Sequence, residues 1–224
     1  MEMTPNDKRY GPIYIKVTHL KNMSDFMYNN SESIVLASGS PRRKEFLESL
    51  GLRFEISVAS IDELVETGEL AEDFVLRMAK EKAAAVAKYF PDSWIISGDT
   101  VVCLGKEILG KPTSKENAVE LLLQLAGQTH FVRSGFCLWH EGNNIVRTQS
   151  VVTSVRFTRF SERVARAYVT TGEPMDKAGG YGIQGVGGVL VDSIEGSYSN
   201  VVGLPMAELV SVLEEEGVIS PVGA

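Results

Sequence analysis

A chain of 224 residues, 44% hydrophobic and 23% charged, is long enough to bury a full core as one domain or two small ones. A formal charge of −7, from 22 Lys+Arg against 29 Asp+Glu, argues against a nucleic-acid polymer as partner, since such proteins carry a basic face. No apolar run approaches the ~18 residues that span a membrane, and Cys103 and Cys137, each within an apolar strand-like run, read as reduced, buried thiols of a reducing compartment.

Residues 1–32 are rich in Asn, Met, Lys and Tyr, lack a secretory apolar stretch, and are set apart as a poorly ordered N-terminal extension. The functional domain is expected over 33–224. From Ser33 onward strand patterns near 33–38, 54–59, 94–104, 130–140, 149–158 and 188–195 alternate with helix patterns near 41–50, 72–90, 114–125, 161–170 and 205–216. Such alternation predicts an α/β fold with a mostly covered sheet. Glu141-Gly142-Asn143-Asn144 joins two strand runs as a β-hairpin, which makes the sheet mixed. Ser114, Ser161, Pro205 and Gly217 read as helix start and stop signals.

The first strand, Ser33-Ile34-Val35-Leu36-Ala37, runs into Ser38-Gly39-Ser40-Pro41-Arg42-Arg43 and then a helix marked by Phe46, Leu47 and Leu50. Ser40 suits the N-cap, its hydroxyl accepting from a first-turn N–H, and Pro41 suits the first helical position. The remaining free amides, the positive end of the helix dipole and two guanidiniums make a phosphate site the leading reading. A capped helix with solvated arginines is the alternative, but Arg43 falls on the Phe46, Leu47 and Leu50 face, where a solvated arginine is out of place.

Two further polar residues sit where apolar ones are expected. Lys82 lies in the middle of the apolar arc formed by Phe74, Val75, Met78, Ala79, Ala83, Val86, Tyr89 and Phe90. It either snorkels past the helix or faces an anion. Asp99 interrupts the run Trp94-Ile95-Ile96 to Val101-Val102-Cys103-Leu104 and either marks a bend with Gly98 or binds a cation, a metal or donors. With Glu63 of the Asp62-Glu63 pair, and with Arg42, Arg43 and Lys111, these residues form the set that hard-cation chemistry on a polyphosphate requires. Three histidines and two distant cysteines give no zinc spacing, and His130 reads as a hydrogen-bonded sheet residue. Gly105 to Lys111 has Walker A spacing, but Pro112 follows where a helix should start. Gly180-Tyr181-Gly182-Ile183-Gln184-Gly185 matches a dinucleotide motif yet precedes a strand, so its glycines are read as allowing a tight turn near a ligand.

In their joint order these segments resemble one family, the Maf nucleoside triphosphate pyrophosphatases, over roughly 34–216. The resemblance is carried by Leu36 to Arg43, Asp62-Glu63, Glu81-Lys82-Ala83, Gly98 to Val102, Gly110-Lys111-Pro112, Gly127 to His130 and Asp176 to Gly185. It implies an elongated mixed β-sheet flanked by helices, ITPase-like, with two lobes and a cleft, often as a cytoplasmic homodimer that cleans the nucleotide pool. It also implies a divalent cation, Mg²⁺, Mn²⁺ or Co²⁺, held by Glu63 and Asp99. Asp99 would be the general base, and Ser38, Ser40, Arg43, Lys82 and Lys111 the triphosphate contacts. Three positions expected to face the base read Arg42, Thr100 and Gln184, which resembles the dTTP/UTP branch. A primary amide such as Gln184 offers both donor and acceptor to a pyrimidine edge. The rivals are a pyrophosphatase for 7-methyl-GTP, purine or other modified nucleotides and a non-catalytic nucleotide-binding regulator of cell division. Ser97-Gly98, Arg133-Ser134-Gly135 and the N-terminal extension depart from the family pattern.

Overall fold

The computed structural model of the protein describes residues 13–17 and 26–223. Its strands are β1 (Ile13–Val17), β2 (Tyr28–Asn29), β3 (Ile34–Leu36), β4 (Phe54–Val58), β5 (Trp94–Leu104), β6 (Glu107–Leu109), β7 (Thr129–His140), β8 (Ile145–Phe157), β9 (Val191–Glu195) and β10 (Ser220–Pro221). Its helices are α1 (Pro41–Ser49), α2 (Ala71–Ala87), α3 (Lys115–Leu125), α4 (Glu162–Thr170), α5 (Tyr198–Val202) and α6 (Met206–Glu215). An eight-stranded sheet runs β1-β4-β3-β5-β7-β8-β9, with β6 also paired to β5. It is mixed, as the hairpin predicts: β3 is parallel to β4 and β5, and every other pair in it is antiparallel.

Strands β5, β7 and β8, of 11, 12 and 13 residues, each extend roughly 35–45 Å at ~3.3 Å per residue and tie two cores together. One core packs Leu36, Leu47, Phe54, Phe136 and Leu209 between the sheet, α1 and α6. The other packs Val102, Leu122, Val155, Phe157 and Tyr168 under α3 and α4. Each fully buried Leu or Phe in them stabilises the fold by about 1.5–3 kcal/mol. The opposite face of the sheet is covered by α2, which buries Phe74, Val75, Met78, Ala79, Ala83 and Val86. Gly135 lets α2 lie this close, because a Cβ there would stand 2.6 Å from the Val75 carbonyl oxygen. Ser97, one of the departures from the family pattern, fastens the same contact by donating to the Ala79 carbonyl at 2.6 Å.

Strand β3 pairs with β5 only at Trp94 to Ile96. Beyond that point β5 continues without it, so the edge of the sheet opens at Ser97 to Val101 before β6 closes it at Val102. This gap positions the site.

Several expectations are corrected. The helix expected near 72–90 does not extend to Phe90: α2 stops at Ala87 because the Pro91 ring would clash with the carbonyl four residues earlier, and Tyr89 is exposed instead of lying on the buried arc. Neither Ser40 nor Ser161 makes a side-chain cap bond. Ser38 Oγ accepts the Ser40 N–H at 3.2 Å instead, while Ser114 does cap, accepting from Asn117 N–H at 3.0 Å. The strand expected at 188–195 is a 3₁₀ turn over Val186–Leu190 followed by β9, the glycines Gly187 and Gly188 breaking the run. The packed body reaches N-terminal of Ser33: Tyr28 is buried in the first core, and the β1 backbone pairs with β4 from Ile13↔Val58 to Val17↔Phe54. The rest of the segment set apart as an extension, 1–12 and 18–25, lies outside the described residues. Cys103 and Cys137 are free and buried.

His130 is a sheet residue, as expected. Its Nε2 lies 2.7 Å from the Tyr181 hydroxyl, and its ring stands edge-on to Phe157 and Tyr181. Burial pushes its pKa down to about 4. Between that value and the unfolded ~6.5 the unfolded chain binds a proton the native protein does not, so stability is complete above pH ~6.5 and is lost as pH falls towards 4. A His130→Leu variant is therefore expected to lose less of its Tm than the native protein between pH 7 and pH 5, measured by calorimetry. Equal acid slopes would remove His130 from this role.

Candidate active site

A cavity of ≈ 610 Å³ opens at the gap in the sheet edge. All ten site positions expected from the sequence line it: Ser38, Ser40, Arg42 and Arg43 from the β3–α1 turn, together with Glu63, Lys82, Asp99, Thr100, Lys111 and Gln184.

One wall is an acid–base cluster. Asp99 is 7% exposed within an unbroken strand paired Asp99↔Gly135, which rules out the bend. Lys82 does not snorkel: its Nζ lies 2.7 Å from Asp99 Oδ1 and 2.6 Å from Glu63 Oε1. The packing of α2 on β5 thus brings the two sequence anomalies into one ion pair, and the β4–α2 loop supplies Glu63. Lys111 Nζ stands 3.9 Å from Glu63 Oε2 and is largely exposed. Burial alone would raise the Glu63 pKa, but the hydrogen bond and charge of Lys82, aided by Lys111 and Arg43, hold it below the usual carboxylate range.

The second wall is built on Arg43. Its Nε donates to the Gly203 carbonyl at 2.8 Å, one terminal nitrogen to Ser38 Oγ at 3.1 Å and the other to Thr100 Oγ1 at 3.2 Å. Gly98 leaves the space for it, since a Cβ there would press to 3.1 Å of the Gly135 carbonyl and 3.5 Å of Arg43 Nε. Thr100 Oγ1 is further tied to Ser134 Oγ at 2.8 Å, and Ser134 donates to the Asn200 carbonyl at 3.1 Å. Desolvation lowers the Arg43 pKa, opposed by the charge of Asp99. With no side-chain cap on α1, the first-turn amides of Arg42 and Arg43 have no partner among the described residues and lie at the cavity wall.

The third wall is the 173–185 segment. Asp176 Oδ2 lies 3.4 Å from Arg42, and Asp176 Oδ1 accepts from Lys177 Nζ at 2.6 Å. Gln184 is exposed at the rim, and its amide has no hydrogen-bond partner among the described residues. Glu173, Asp176, Lys177, Ser134 and Asn200 were not assigned roles by sequence reasoning. Asp176-Lys177 stood beside the glycine-rich motif, a usable signal. Ser134 became visible only through the pairing Thr100↔Ser134.

A cation site was expected from Glu63 and Asp99. One ammonium touches both carboxylates, so their oxygens converge on a single point with the hard donor set that Mg²⁺ or Mn²⁺ prefers. Among the described residues no group of three or more His, Cys, Asp or Glu gathers, so the pair fits a cation completed by phosphate oxygens and water. The ionisable lining is also balanced in charge: Arg42, Arg43, Lys82, Lys111 and Lys177 face Glu45, Glu63, Asp99, Glu173 and Asp176. A polyphosphate would need added positive charge there.

Comparison with known proteins agrees with the segment pattern. The chain is 55% identical over 194 residues to a dTTP/UTP pyrophosphatase of Desulfotalea psychrophila, covering 87% of this chain and 100% of that protein. A dTTP/UTP pyrophosphatase of Myxococcus xanthus is 48% identical over 84% of this chain and 94% of its own length. Among solved structures, the Staphylococcus aureus Ham1 protein covers 83% of this chain and 100% of its own at 16% identity and a TM-score of 0.46. Residues 33–216 match the model of the Maf-like protein family, and the chain belongs to that family.

Proposed function

We propose that the protein hydrolyses dTTP and UTP to the nucleoside monophosphate and pyrophosphate. The observation that carries this reading is the Glu63–Lys82–Asp99 cluster, set in one cavity with Arg43, Lys111 and the uncapped start of α1. The names of the relatives support the choice of substrate.

Water attacks the α-phosphorus, the bond to the bridging oxygen breaks, and pyrophosphate leaves. Lys82 fixes Asp99 Oδ1; among the described residues Oδ2 has no donor and is the oxygen available to take the proton from water. A divalent cation bound by Glu63, Asp99 and phosphate oxygens would neutralise charge and polarise the phosphoryl group. Lys82 and Lys111 stabilise the charge that develops on the leaving group, as do the free amides of α1. Arg43 commits three of its five N–H donors to protein acceptors, so it adds positive charge and holds Ser38 and Thr100 in place. The cation's identity as Mg²⁺, Mn²⁺ or Co²⁺, the cytoplasmic setting and the homodimer rest on the family resemblance. Among the described residues no helix is long and apolar enough to cross a membrane.

The unpartnered Gln184 amide supports pyrimidine selection, offering a donor and an acceptor to the O4–N3 edge. Gln184→Glu loses the donor and gains a charge, so kcat/KM for dTTP and UTP should fall about tenfold relative to 7-methyl-GTP. An unchanged ratio would refute the assignment. The reading as a whole is tested by a panel of triphosphates with Mg²⁺, Mn²⁺ and Co²⁺ and pyrophosphate detection. Preference for dTTP and UTP supports it; preference for a purine or modified nucleotide, or binding without turnover, contradicts it.

A further inference from the structure

We infer that Glu173 and Tyr168 form a post that positions Gln184, and so act as positioning residues for base selection; this rests on the role proposed for Gln184. The glycine-rich motif that is no dinucleotide site finds its use here.

The segment 182–185 belongs to no helix or strand, and only the 3₁₀ turn at Val186–Leu190 follows it. Its backbone is instead hung on two side chains. Tyr168 Oη accepts the Gly182 N–H at 3.1 Å and donates to Glu173 Oε1 at 2.8 Å. The same Oε1 accepts the Gly187 N–H at 3.1 Å, and Oε2 accepts the Val186 N–H at 2.9 Å. Gln184 therefore sits midway along a short bridge whose two ends terminate on one Tyr–Glu pair. The hydrogen bonds to Glu173 outweigh its burial and hold its pKa below the usual carboxylate range, so it stays an acceptor at neutral pH.

The glycines show how close this approach is. A Cβ at Gly185 would stand 2.3 Å from Glu173 Oε2, one at Gly187 2.4 Å from Tyr168 Oη, and one at Gly182 2.7 Å from Lys177 Cε. No side chain fits at Gly185 or Gly187 while the backbone closes on the post, whereas at Gly182 the flexible end of Lys177 would have to move. The post is rigid at its base: Tyr168 is 4% exposed in the second core, and Lys177 Nζ donates to the Glu173 carbonyl at 2.7 Å. The acid–base cluster is rooted elsewhere, on α2 and β5. Loosening the post should thus alter which base is held while sparing the chemistry.

The test is steady-state kinetics of the full chain and its Glu173→Gln, Tyr168→Phe, Gln184→Ala and Glu173→Gln/Gln184→Ala variants on dTTP, UTP, CTP, ATP and GTP. In Glu173→Gln the ratio of kcat/KM between the best and poorest triphosphate is expected to fall about tenfold, through KM, with kcat within about threefold. The double variant should be no worse than Gln184→Ala, since one acts through the other. Tyr168→Phe removes a single hydroxyl and should move the ratio in the same direction even if Glu173→Gln folds poorly. An unchanged ratio, a fall in kcat shared by all substrates, or multiplying effects in the double variant overturns the inference. Amide hydrogen exchange gives a readout independent of turnover: Val186 and Gly187 should exchange faster in Glu173→Gln while β5 does not, and unaltered exchange at both amides also overturns it. Failure of the native protein to favour dTTP and UTP sinks the proposed function alone, because the post is judged on whichever ratio the native protein shows.

Discussion

Asp99→Asn is expected to fold normally and to lose turnover by about 10²–10⁴-fold. Asparagine matches aspartate in shape, and its carbonyl oxygen can still accept from Lys82, which also keeps Glu63 as a partner at 2.6 Å. The strand pairing Asp99↔Gly135 is backbone and unaffected. What disappears is the oxygen able to take a proton from water, together with one of the two charges offered to a cation. Turnover of UTP with Mg²⁺, measured beside the Tm, separates these effects. Near-native kcat would remove Asp99 from the reaction, and a collapsed Tm would mean that the residue is chiefly structural.

Lys82→Met should carry the next largest effect, about 10²–10³-fold in kcat, because Lys82 both aims Asp99 and opposes the charge that builds on phosphate. It should also destabilise the fold by about 2 kcal/mol at neutral pH, less than the 3–5 of a fully buried pair, since Glu63 is half-exposed. The pH dependence has a definite sign. Glu63 is held below its usual range in the native protein, so its contribution is present above pH ~4.3 and fades as pH falls further. The stability gap between native and Lys82→Met should therefore be widest near pH 7 and narrow below pH 4, followed by denaturant unfolding. A gap constant with pH would assign the loss to packing of the lysine stem instead.

Much of the site was legible because it violates the rules that govern the core. A lysine in an apolar helical arc, an aspartate in an apolar strand and an arginine on a helix's inner face each need a partner, and the fold gives Lys82 and Asp99 each other. The sheet's mixed character followed from the hairpin turn, where Asn144 adopts φ 53. The network behind Thr100 was not legible, because Ser134 and Asn200 look like ordinary polar residues until strand register and the α5 turn bring them together. Glu173 was missed for a similar reason: besides the Tyr168 hydroxyl its partners are backbone amides, which leave no mark in side-chain pattern. The motif at 180–185 marked the place without revealing the cause. Ends of elements were misjudged where proline or paired glycines cut a run short, at Pro91 and Gly187-Gly188.

In the proposed reaction this cavity directs water to the α-phosphorus of a pyrimidine triphosphate. This is tested most directly by turning over UTP with Mg²⁺ in water enriched in heavy oxygen and analysing the products by mass spectrometry. Labelled UMP and unlabelled pyrophosphate are expected. Label in pyrophosphate, or release of orthophosphate with UDP, would contradict it.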